Sequence, residues 1–88
     1  MQKLEAITLH IGHVVYVEVT PLIEQVIKTA KLARQAGLSK VEAVRKIYPA
    51  IANLEREAIW YAFIQGVDLS SRGAVTYYYN MRNEWKSK

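Results

Sequence analysis

The chain has 88 residues, 51% of them hydrophobic, no cysteine and a formal net charge of +4. This length gives one domain, residues 1–88, with a modest core, and the apolar fraction excludes a disordered chain. The missing cysteines exclude disulfides, thiolate metal sites and cysteine chemistry. The N-terminus Met1-Gln2-Lys3-Leu4-Glu5 does not read as a signal peptide, and no apolar stretch approaches the roughly 20 residues that cross a bilayer. A cytoplasmic protein with no membrane partner is the expectation.

Residues 5–20 are rich in β-branched side chains and read as a hairpin. Ile7, Leu9 and Ile11 alternate with Thr8, His10 and Gly12, and Val15, Val17 and Val19 alternate with Tyr16, Glu18 and Thr20. A three-residue loop, Gly12-His13-Val14, pairs Ile11 with Val15, Leu9 with Val17 and Ile7 with Val19, so that all six apolar side chains share one face. A lone two-stranded hairpin is marginal, so this face packs on helices or joins a second copy. Self-association through Ile7, Leu9, Val15, Val17 and Val19, giving a homodimer, is therefore expected.

Residues 21–86 read as a helical bundle. Thr20 caps the first helix and Pro21 opens it; Leu22, Ile23, Val26, Ile27, Ala30 and Ala33 recur at helical spacing until Gly37 ends the run. Ser39 and Glu42 fit a capping box, and the helix over about residues 40–48 buries Val41, Val44 and Ile47 until Pro49 stops it. Asn53 is the expected cap of a third helix over residues 54–65, with the stripe Leu54, Ala58, Ile59, Ala62 and Phe63 and with Gly66 as its end. Ser70, with Asp68 as a competing cap, starts a last helix over residues 71–86, where Ala74, Tyr78, Met81 and Trp85 make one face. The fold class is thus mostly α with a short β-hairpin, an α+β layout of one hairpin and about four helices.

The last two helices carry the functional expectation. The segment 67–88 holds Arg72, Arg82, Lys86 and Lys88 against Asp68 and Glu84, the most basic part of the chain. In a helix-turn-helix one helix braces a second, which lies in the DNA major groove. Residues 54–65 would brace and residues 71–86 would read. Arg72, Thr76, Asn80 and Asn83 lie off the apolar stripe and are residue types that read base edges. Ser71 offers a hydroxyl at the helix start, Tyr77 and Tyr79 offer phenol groups to phosphates, and Arg82 and Lys86 add charge. Gly66-Val67-Asp68-Leu69 makes a longer turn than the usual helix-turn-helix has.

The run from Gly66 to Asn80, with Leu69, the Ser70-Ser71 cap, Gly73-Ala74 and Thr76-Tyr77-Tyr78, resembles the C-terminal segment of small helix-turn-helix-like proteins of phages and plasmids. Ala43-Val44-Arg45-Lys46-Ile47-Tyr48 is similar to their first helix, and the resemblance covers about residues 39–84. It implies a fold and a bias toward DNA, but no substrate; the first expectation is a DNA binder acting as a phage or plasmid regulator of transcription. The hairpin lies outside the resemblance.

A second expectation is a small protein-interaction module, for example a phage-encoded inhibitor of a host protein, anchored by the aromatic last helix. Trp60 and Trp85 are read as packing residues, and Tyr78 as core. His10 and His13 stand without a third ligand nearby, and no nucleophile triad, phosphate loop or paired carboxylates occur, so no enzyme activity, metal or cofactor is expected.

Overall fold

The computed structural model describes residues 3–8 and 12–86. A two-stranded antiparallel sheet, β1 (Lys3–Thr8) and β2 (Val14–Val19), precedes four helices, α1 (Pro21–Gln35), α2 (Lys40–Ile51), α3 (Arg56–Val67) and α4 (Ser71–Lys86).

The hairpin forms in a different register from the expected one. Ile7 lies opposite Val15, Glu5 opposite Val17 and Lys3 opposite Val19. The pairing has slipped by four residues, an even number, so every side chain keeps its face. Alternation therefore determined the inner face but left the register open. Leu9, His10 and Ile11 lie outside the described residues.

Local signals account for the first helix. The Thr20 hydroxyl accepts the Ile23 amide at 3.3 Å, and Pro21 stands where a missing N–H costs nothing. At the other end Gly37, with φ of 101°, lets its own amide reach the Arg34 carbonyl and the Leu38 amide reach the Ala33 carbonyl, a Schellman ending. Ser39 and Glu42 form the expected capping box, at 3.1 and 2.9 Å.

Three expected boundaries moved. Pro49 does not stop α2, which runs on to Ile51. The proline costs its own N–H bond and crowds the Arg45 carbonyl one turn back, but the buried Tyr48 and Ile51 anchor that turn in the core. Asn53 does not cap α3; it sits in the preceding turn, and Glu55 occupies the cap position without a side-chain bond. Gly66 does not end α3. It lies buried inside the helix, where an added Cβ would meet the Ala30 Cβ at 2.9 Å and the Ile27 Cα at 3.3 Å. Its task is the close approach of α1. The helix ends instead at Asp68, which takes the left-handed conformation at φ 62°.

Helix α3 is the centre of the molecule. Ile59, Trp60, Tyr61, Ala62, Phe63, Gly66 and Val67 are all buried, so it is covered on nearly every side rather than along one stripe. The other three helices and β2 pack around it. The hairpin contributes Ile7, Val17 and Val19 to this same core, with Val15 half-buried beside them.

Candidate nucleic-acid interface

Helix α4 starts where expected. Ser70 is its cap: the hydroxyl accepts the Gly73 amide at 3.0 Å and the carbonyl accepts the Ala74 amide at 2.8 Å. The competing residue, Asp68, belongs to the end of α3.

The inner face of α4 is held by Ala74 and Met81, both buried, and by the half-buried Tyr78, whose ring meets Trp60 edge-on at 6.1 Å. Trp85 was expected on this face. It stands at its rim instead, 47% exposed, with one edge contact to the buried Tyr48 at 5.8 Å. Burial raises the Tyr48 phenol above its ordinary pKa, and Tyr78 adds to the effect, so this ring stays neutral at physiological pH.

This anchoring turns Arg72, Thr76, Asn80 and Asn83 outward at steps of four, four and three residues, and all four are exposed. Tyr79, Arg82 and Lys86 are exposed as well. Thr76 donates its hydroxyl to the Arg72 carbonyl at 3.2 Å. Two of the expected site residues are less available. Ser71 is half-buried, and Tyr77 is half-buried with its ring packed against the core.

The only carboxylate in α4 is Glu84, and it leans toward α2, where Arg45 Nε lies 3.2 Å from its Oε1. The outward face of α4 therefore carries cations, amides, a hydroxyl and a phenol, but no acid. Tertiary structure adds a further cation beside it. The Arg56 guanidinium, at the start of α3, lies 5.5 Å from the centre of the Trp60 ring and pairs with Glu57 at 3.1 Å. That pairing, with its hydrogen bond, raises the guanidinium pKa further, so the group stays charged throughout. Sequence reasoning missed Arg56. Its four-residue spacing to Trp60 was visible, but the crossing of α3 and α4 that sets both beside Tyr78 was not.

The expected self-association residues have another use. Ile7, Val17 and Val19 are buried within the chain, so they are not free to meet a second copy. The central helix needs a cover, and the hairpin supplies it. The exposed apolar face is the opposite one, with Leu4, Val14 and Tyr16, the last 70% exposed. Leu4 fell outside the expected strand, which is why this face was overlooked. His13 is exposed. No described helix is long and apolar enough to cross a membrane. No protein-family model, curated protein or solved structure matches the chain.

Proposed function

We propose that the chain binds nucleic acid, DNA first of all, through the outward face of α4. One observation carries this reading. A 16-residue helix, fixed by a buried inner face, holds Arg72, Thr76, Asn80 and Asn83 in line on a surface free of carboxylates. Arginine and asparagine there are suited to guanine and adenine edges, and Arg82 and Lys86 on the flanks are suited to phosphates. A regulatory role, with α3 as the bracing helix, belongs to the same reading.

The test is an anisotropy titration against mixed-sequence DNA at low and moderate salt, with melting temperature as the fold control. Arg72→Ala and Asn80→Ala leave the fold intact, and each lost bidentate base contact weakens binding by about five- to 150-fold, or roughly 1–3 kcal/mol. Lys86→Ala weakens all sequences alike and lowers the salt slope by about one unit. Wild-type protein that stays unbound at low salt rejects the reading. Trp85 and Tyr79, large and about half exposed, favour a second one, in which α4 anchors a protein partner. Such an interface responds little to salt, whereas phosphate contacts weaken steeply with it.

A further inference from the structure

The aromatic side chains between α3 and α4 form a ladder from the core to the surface. Trp60 at its foot is 6% exposed. Tyr78 meets it edge-on at 6.1 Å, with ring planes at 88°. Tyr79 meets Tyr78 at 5.4 Å and 64°, and it is 45% exposed at the top. Each ring is propped by the one beneath it. Tyr79 thus rests on Tyr78 at one side and is open to solvent on the other, and a side chain already seated on a neighbour costs less to order in binding. The Arg56 guanidinium flanks the ladder over Trp60, and Glu57, the acid beside it, is held by Arg56.

We propose that Tyr79 is a stacking platform for an unpaired nucleobase, so that the protein prefers single-stranded nucleic acid, or strands with unpaired bases, over a closed duplex. This rests on the reading of α4 as a nucleic-acid surface. The chemistry is specific to an open base. Inside a duplex each base is covered above and below by its neighbours, and a ring carried on a convex helix surface cannot reach its face. An unpaired base offers that face freely, and every base has one, so the contact tolerates any sequence. Arg82 and Lys86, also exposed on α4, supply the charge that holds the backbone of such a strand.

The experiment compares a labelled mixed-sequence single strand with the duplex it forms with its complement, by anisotropy, on wild type, Tyr79→Ala, Tyr79→Phe and Lys86→Ala. Wild type binds the single strand more tightly. Tyr79→Ala loses about five- to 150-fold for the single strand, the range of one base–aromatic stack, and little for the duplex. Tyr79→Phe restores the single-strand affinity, because stacking needs the ring and a phosphate contact would need the hydroxyl. Lys86→Ala weakens both probes together. If Tyr79→Ala leaves the single strand unaffected, or weakens both probes by the same factor, the platform is refuted while the Lys86 response preserves α4 as a nucleic-acid surface. Wild type that binds neither probe at low salt refutes both.

Discussion

At the scale of single residues, the most informative position is Gly66, because its role reversed between sequence and structure. Glycine costs about 1 kcal/mol relative to alanine inside a helix, so a buried glycine within the last turn of α3 needs a reason. The reason is α1, whose Ala30 Cβ and Ile27 Cα would lie 2.9 and 3.3 Å from an added methyl group. Neither is the flexible end of a side chain, so the two helices would have to separate. Gly66→Ala is therefore expected to destabilise the protein by roughly 1–2 kcal/mol net, overpacking outweighing the gain in helix propensity. Thermal melting checks this, and a variant as stable as wild type would show that α1 and α3 have room to spare. The same reasoning explains why the glycine was misread. In sequence, a glycine near the end of an apolar run signals a helix stop; only the neighbouring helix reveals a contact.

At the scale of elements, the helix starts were legible where a side chain makes the cap, as at Thr20, Ser39 and Ser70. They were not legible at α3, whose cap position, Glu55, makes no such bond. The α2 capping box also sets a pH dependence. The Ser39 amide first, and the Ser39 hydroxyl second, hold the Glu42 carboxyl below its ordinary value of 4.5. A carboxyl whose pKa is lowered by folding adds stability above its unfolded pKa and loses that stability as pH falls through the folded one. The advantage of wild type over Glu42→Gln in urea midpoint should thus be full at neutral pH and shrink as pH falls through 4.5 and below. A difference between the two proteins that does not change with pH would show that the charge on Glu42 is irrelevant to the cap. The glutamine can still accept the Ser39 amide, so the comparison isolates the charge from the hydrogen bond.

At the scale of the whole molecule, the hairpin is part of the core. Val17, 3% exposed, sits among the residues that cover the helices, while its chain neighbour Tyr16 points the other way into solvent. Val17→Lys should abolish cooperative unfolding, since a buried, unpaired ammonium costs several kcal/mol of the roughly 5–15 kcal/mol that holds a domain together. Tyr16→Lys, one residue away, should melt like wild type. Circular dichroism melts decide the pair, and a folded Val17→Lys protein would refute the hairpin's place in the core. Association through the hairpin is left to the outer face of Leu4, Val14 and Tyr16, and sedimentation checks it: Leu4→Lys splits such a dimer, and a wild type that is monomeric at high concentration removes it.

The sequence by itself determined the order of elements, the start and end of α1, the start of α4, the capping box of α2 and the inward face of the hairpin. These rest on interactions within a few residues: a hydroxyl on an amide three positions on, a proline or glycine at a helix end, a period of two or of three to four in the apolar side chains. The candidate surface was legible to the same extent, because the outward positions of α4 follow from its periodicity once Ala74, Tyr78 and Met81 turn inward. Tertiary structure decided the rest. Pro49 stays inside α2 because Tyr48 and Ile51 are buried, and the hairpin shifts by four residues, a slip that alternation cannot detect. Trp85 moves to the rim, Tyr77 turns toward the core, and Arg56 comes to stand beside the Trp60–Tyr78–Tyr79 ladder. Each of these depends on which helix lies against which, and packing between segments distant in sequence leaves no periodic trace in either one.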